Sequence, residues 1–184
     1  MGLFMIDVDE EISMRMLNAK NAEELFKITD RSREYLREWL PWLDHTRSAE
    51  DSLQFIMNNF QLYAERKGVT AGIFYKGTLA GVAGYNNLDW TNKIAYIGYW
   101  LDIHHQGKGI MTRAVRALVD YAFWEYDFNR IDIRAASGNE KSQAIPKRLG
   151  FKQEGVLRQC EWLYDHYVDH LVFSMLKSEW EELS

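Results

Sequence analysis

Six consecutive residues, Gln106-Gly107-Lys108-Gly109-Ile110-Met111, place two glycines and a lysine between an apolar run and an amphipathic one. These types in this order suit an anion. The first turn of a helix leaves about four backbone N–H groups without intrahelical partners, and the helix dipole favours negative charge there. Glycine lets the backbone come close to a ligand. Lys108 adds a positive charge, and Arg113 is expected within reach of the same region. A tight turn alone would also use glycines; the strand before and the helix after favour a phosphate cradle. The loop is neither a P-loop, which needs G-x-x-x-x-G-K-[ST], nor a dinucleotide fingerprint, because Thr112 stands where the third glycine belongs.

The elements that must position this loop follow from periodicity. Residues 93–101 (KIAYIGYWL) form the most apolar run and read as a central strand buried on both faces. Residues 110–126 carry Ala114, Leu118, Tyr121 and Ala122 at helical spacing with Arg113, Arg116 and Asp120 between them. Residues 130–136 alternate as a strand, completing a right-handed βαβ crossover. Upstream, 13–17 reads as a strand, and Asn18 or Asn21 caps a helix that turns Leu25 and Ile28 inward. Pro41 ends a second helix near Trp39 or Leu40. Ser48-Ala-Glu-Asp51 is a capping box with Asp in place of Glu, opening a helix that closes at Gly68. Residues 69–75 and 79–85 make a hairpin about Lys76-Gly77, and 86–92 is a polar loop. A short helix over 142–149 and strands over 151–157 and 168–176 complete one α/β domain spanning 1–184 with a mixed sheet.

Other reactive residues carry weaker signals. His104 and His105 are adjacent on an extended segment and point to opposite sides. His166 and His170 have the four-residue spacing of a helical zinc motif, but on a strand that spacing spans about 13 Å. No metal is expected. Cys160 has no evident histidine partner and is not expected to act as a nucleophile. Tyr35, Trp39 and Trp42 form an aromatic cluster suited to a core, a homodimer face or a pocket wall. Asp30, Glu34, Glu38 and Asp44 suit a basic peptide N-terminus or plain surface.

The segment IGYWLDIHHQGKGIMTRAV matches the signature [Q/R]-x-x-G-x-[G/A] through Gln106 and Gly109, with Met111 in place of the small residue. Together with Asn139-Glu-Lys-Ser142 and Leu149-Gly-Phe-Lys-Gln-Glu-Gly155, it resembles the GCN5-related N-acetyltransferase (GNAT) superfamily, in its RimJ/RimL-type ribosomal-protein N-acetyltransferase branch, over about residues 10–178. The resemblance implies an α/β (α+β) fold. Its sheet is mixed and mostly antiparallel, with a splayed central parallel pair (93–101 and 130–136) and helices on both faces. It implies acetyl-CoA as co-substrate, without a metal. Backbone groups of Tyr99, Trp100 and Leu101 would pair with the pantetheine, and the Gln106 loop, through amides of Gly107, Lys108, Gly109, Ile110 and Met111, would hold the pyrophosphate. Asn139 would bond the pantetheine arm. Ser142 would stand near the thioester sulfur as proton donor, and Glu161 would be the base, through water.

Elementary chemistry fits those roles. A model α-amine with a pKa of about 8 is roughly one-tenth neutral near pH 7, whereas a lysine side chain is neutral at about one part in several thousand. An α-amine thus asks less of a base, and a carboxylate working through water can serve. Many superfamily members carry a tyrosine acid seven residues after the asparagine. Here that position is Pro146, which cannot donate a proton. Ser142 is also a candidate N-cap for the helix behind it, a role compatible with the first.

Composition bounds the rest. With 22 basic and 27 acidic residues among 184, the net charge is -5, which argues against direct nucleic-acid binding. No apolar run approaches the roughly 20 residues of a membrane span, and the start of the chain lacks a signal-peptide pattern. The lone Cys160 suits a reducing compartment, so a cytoplasmic location is expected. The leading expectation is direct acetyl transfer to a primary amine, the N-terminal α-amine of a (ribosomal) protein. The alternatives are a small-amine acceptor (polyamine, amino sugar or antibiotic) and an acyl-CoA-binding module without turnover.

Overall fold

Residues 3–183 are described by a computed structural model; positions 1, 2 and 184, the ends of the 1–184 span expected to be one domain, lie outside the described residues. The strands are β1 (Met5–Asp7), β2 (Ile12–Arg15), β3 (Val69–Tyr75), β4 (Thr78–Asp89), β5 (Ile94–Leu101), β6 (Arg130–Ala136), β7 (Lys152–Leu163) and β8 (His166–Leu176). The helices are α1 (Ala22–Arg31), α2 (Arg33–Arg37), α3 (Ala49–Ala64), α4 (Ile110–Trp124), α5 (Glu140–Arg148) and α6 (Lys177–Leu183). One eight-stranded sheet runs in the order β1-β2-β3-β4-β5-β6-β8-β7.

Local chemistry explains several elements. Asn18 caps a short 3-10 turn that leads into α1, and Ser48 with Asp51 closes the capping box at the start of α3. Lys76 and Gly77 both take positive φ (49° and 82°), the two-residue turn that suits the right-handed twist of the β3–β4 hairpin. Alternation then divides the core. On one face α4 packs Ala114, Val115, Leu118 and Phe123 against Ala71, Ile73, Ala95, Ile97 and Ile131. On the other, Leu25 and Ile28 of α1 and Ile56 of α3 meet Phe74, Leu79 and Val82. Helices therefore cover both faces.

The single parallel pairing among the described residues is the feature that makes a site. β5 and β6 are in register only from Ile94↔Arg130 to Ile97↔Ile133. Beyond that, β5 stays with β4 as far as Leu101, while β6 stays with β8 as far as Ala136. The two strands splay, and backbone on the inner edges of the opening has no strand partner.

Four expectations change. The segment 86–92 is not all loop: β4 continues to Asp89 because a bulge after Tyr85 absorbs Asn86, and Leu88 is buried. β5 is buried on one face only; Tyr96, Gly98 and Trp100, which alternate onto the other face, are half-buried because a cleft, not a helix, covers their side. β7 continues to Leu163 past the expected end at 157; as an exposed edge strand it lacks the alternation that would reveal it. The last helix before it begins at Glu140 rather than Ser142. Among the described residues, no helix is long and apolar enough to cross a membrane.

Candidate active site

The Gln106–Met111 loop ends β5's excursion and opens α4. Gly107 and Gly109 take φ of +74° and +69°, and a side chain built on either would meet nothing within 4 Å. The backbone conformation, not crowding, calls for glycine, and the space above the loop is open. Gly109 is the N-cap of α4; no side chain caps the helix and no acid lies in its first turn. Its first amides are therefore available to an anion. Basic side chains close in: Lys141 donates to Gln106 Oε1 (3.1 Å), Arg148 to Thr112 Oγ1 (3.4 Å), and Lys108 to the His104 carbonyl (3.3 Å). Sequence reasoning overlooked Arg148, whose only signal was a positive charge in the last turn of α5. Arg113 reaches the loop as expected, with Nη2 donating to the Lys108 carbonyl (3.5 Å), while its Nη1 is held by Asp9 and Glu11 (2.9 and 3.0 Å); Arg113 and Lys76 hold the Glu11 carboxyl below its usual range.

Asp102 anchors the loop from behind. It is fully buried and accepts from Arg31 Nε (2.7 Å) and Ser32 Oγ (3.0 Å), with His105 Nδ1 at 2.7 Å. Burial alone would raise its carboxyl, but the bonds from Arg31, His105 and Ser32 outweigh it and hold the group at about 2. The Ser32 hydroxyl also accepts from the Ile103 amide (3.1 Å). The end of α1 is thus fastened to the chain just before the anion loop.

Tyr99, Trp100 and Leu101 form one arm of the splay. Gly98 lies under the Asn86 side chain, whose Nδ2 would sit 2.2 Å from an added Cβ, so only glycine lets the two strands carry both groups. The Leu101 carbonyl accepts from the Tyr35 hydroxyl. Asn139 opens the other arm. It, not Ser142, is the N-cap of α5: its Oδ1 accepts from the Ser142 amide (3.1 Å), and Ser142 sits three residues into the helix. Asn has the short side chain that reaches the N3 amide from this position. Pro146 lies inside α5, so the Ser142 carbonyl lacks its helical donor; the Tyr99 hydroxyl donates to it instead (2.7 Å). Ser142 Oγ has no partner among the described residues.

These groups line a cleft of about 1150 Å³ that brings together Tyr99, Trp100, Asn139, Ser142 and Glu161. Leu101 and the Gln106–Met111 loop are outside its lining, at the end of the same strand. Glu161 arrives through a break in β7. Leu157 pairs with His170 and Glu161 with Val168, so the intervening residues bulge, and the Gln159 amide donates to Asp169 Oδ1 (2.7 Å). The bulge sets Glu161 Oε2 2.7 Å from His170 Nε2. His170 was overlooked as a site residue because its partner depends on that bulge. Across the cleft, Trp42 and Trp100 lie 6.2 Å apart, and Trp39 rests on Gly138. Tyr164 ties the β7–β8 turn to this wall: its hydroxyl donates to the Leu40 carbonyl (2.5 Å), and Arg37 lies over its ring (3.8 Å). Cys160 also lines the cleft, with its Sγ 3.9 Å from the Val168 carbonyl.

An open glycine cradle at an uncapped helix start, basic residues around it and unpaired strand edges beyond fit a long phosphorylated co-substrate that ends in a slender arm. Comparison with known proteins agrees. A sequence model described as Acetyltransferase (GNAT) domain matches residues 11–152. The chain belongs to the GNAT acetyltransferase family. This acetyltransferase is 39% identical, over 97% of its chain and 98% of the relative, to YdaF of Bacillus subtilis (strain 168), whose name proposes a ribosomal N-acetyltransferase. It is 31% identical, over 89% of its chain and 92% of the relative, to the ribosomal-protein-serine acetyltransferase of Escherichia coli (strain K12). Among solved structures it resembles RimL, the ribosomal L7/L12 α-N-protein acetyltransferase, in complex with coenzyme A, with a TM-score of 0.91 and 28% identity over 96% of this chain and 99% of that one. The GNAT chain is thus an enzyme, an N-acetyltransferase that uses acetyl-CoA.

Proposed function

We propose that this acetyltransferase modifies the N-terminal α-amine of a protein, with a ribosomal protein as the preferred acceptor. The observation that carries the reading is the joint lining of one wide cleft by Ser142 and Glu161, together with Tyr99 and Trp100 of the splayed strands and His170 of β8. At about 1150 Å³ the cleft exceeds the usual range for a small-molecule pocket, roughly 300–1,000 Å³. It has room for a pantetheine arm and a peptide end together. The relatives named for ribosomal-protein acetylation support the same acceptor.

Acetyl-CoA brings an acetyl group activated as a thioester. In this reading the amides of Gly107 to Met111 hold the diphosphate, with Lys108, Lys141 and Arg148 balancing its charge. Backbone groups of Tyr99, Trp100 and Leu101 receive the arm as a neighbouring strand would. Asn139, whose Oδ1 is spent on the Ser142 amide, offers its Nδ2 to the same arm. The free Ser142 Oγ donates to the sulfur. Glu161 stands at the acceptor end as part of the base, reached through water. The α-amine needs only modest help to lose its proton.

The test is a competition measured as kcat/KM with acetyl-CoA. Peptides with free α-amines, the same peptides blocked at the N-terminus but carrying an internal lysine, and small polyamines are compared. The expected order puts free α-amine peptides first and leaves the blocked ones unmodified. A preference for a polyamine or amino sugar would replace this reading with the small-acceptor one.

A further inference from the structure

We infer that Glu161 and His170 act as one proton-accepting pair, in which the His170 imidazole takes the acceptor's proton and Glu161 is the positioning carboxylate. The inference deepens the proposed acetyl transfer and rests on it. Both side chains line the cleft, and both are about three-quarters buried (26% exposed for Glu161 and 21% for His170). Their contact is 2.7 Å between Nε2 and Oε2. A carboxylate only accepts, so Nε2 carries the hydrogen and Nδ1 keeps its lone pair. That nitrogen has no partner among the described residues. Glu161 thus fixes the tautomer and stabilises the imidazolium that follows, as a triad carboxylate does for its histidine.

Magnitudes decide which member holds the proton. An ordinary carboxylate titrates near 4.3 and an α-amine near 8, so a proton passed between them goes uphill by a factor of about 10³–10⁴. An ordinary imidazole, near 6.5, narrows that to roughly 30-fold. In the step, the N–H bond of the ammonium breaks and the proton passes to Nδ1, directly or through one water. A neutral amine remains beside an ion pair of the Glu161 carboxylate and the His170 imidazolium, and the amine's lone pair is free to attack the thioester carbonyl.

The other ionisable neighbours are largely committed. Asp132 of β6 is bound by Arg130 (2.6 Å), and Asp51 of α3 serves the capping box. Arg134 of β6 lies over Tyr96 (5.7 Å), and His45 faces the cleft from the opposite wall. On its own strand, Asp169 accepts from Gln159, and His166 is paired with Asp165 (2.7 Å).

The experiment compares His170→Gln and Glu161→Gln with the unsubstituted enzyme in kcat/KM over about pH 5 to 9. Glutamine at 170 keeps a donor for Glu161 but cannot titrate. The expected result is a loss of about 10²–10³ for His170→Gln, with the acid limb moved towards the carboxylate range and KM for acetyl-CoA unchanged. Full activity of His170→Gln with an unmoved limb overturns the pair. Should that variant fold poorly, the ring tautomer of His170 in the unsubstituted enzyme with CoA bound, read from its nitrogen shifts by NMR at about pH 9, decides. The Nε2–H form is expected there and should give way to a mixture of tautomers in Glu161→Gln; a tautomer unaffected by Glu161→Gln overturns the proposal. An unsubstituted enzyme that turns over no amine would count against the acetyl-transfer reading itself, while the ring tautomer would still decide the pair.

Discussion

The Tyr99 hydroxyl donates a 2.7 Å hydrogen bond to the Ser142 carbonyl, the acceptor that Pro146 deprives of its helical N–H. Two departures from regular structure thus complete each other across the splayed strands. Burial pushes the Tyr99 phenol up, so it stays a donor across the working pH range. The bond fixes the turn of α5 that carries Ser142 over the cleft.

Tyr99→Phe is therefore expected to lower stability by about 1 kcal/mol and to lower kcat more than it raises KM for acetyl-CoA. Pro146→Ala supplies the missing N–H. In the double variant it is expected to recover part of the kcat lost in Tyr99→Phe, which a double-mutant cycle on kcat and on denaturant midpoints measures. Strictly additive effects would remove the coupling.

Because Asn139 and not Ser142 caps α5, the two residues can be separated. Asn139→Ala is expected to cost about 1 kcal/mol of stability. Ser142→Ala is expected to leave the thermal midpoint nearly unchanged while kcat falls at least tenfold. Equal loss of stability in both variants would mean that Ser142 serves structure first.

The anion loop makes a conformational prediction. Gly109→Ala meets no steric obstacle, yet it places an ordinary residue at φ of +69°. The expected cost is about 1–2 kcal/mol, seen as weaker acetyl-CoA binding by calorimetry. Gly109→Asn is expected to be milder, since asparagine tolerates this region. Identical binding by all three proteins would show that the loop does not hold the diphosphate.

Asp102 predicts the acid behaviour. Its folded carboxyl is held at about 2, below the ordinary 3.8, so its contribution is complete above about pH 4 and is lost as pH falls from there towards 2. The contribution is about 2 kcal/mol. Asp102→Asn should remove it at neutral pH and flatten the loss of stability between about pH 4 and 2, measured by urea unfolding. KM for acetyl-CoA should rise as well, because the Arg31–Asp102–Ser32 bonds fasten the anion loop.

What the chain order determines by itself is local. The Ser48 capping box, the Lys76-Gly77 hairpin turn, the alternation of 69–75 and 130–136 and the glycine loop at the start of α4 depend on interactions within a few residues. The types and spacings encode them directly, and the joint order of motifs marked the family. The tertiary structure decided the rest. Arg113 turns to Asp9 and Glu11, more than 100 residues away, because β1, β2 and α4 meet only in the folded sheet. Tyr99 finds the Ser142 carbonyl because the strands splay. Glu161 meets His170 because two residues of extra length bulge out of an edge strand, and such a bulge shifts register without leaving a periodic trace.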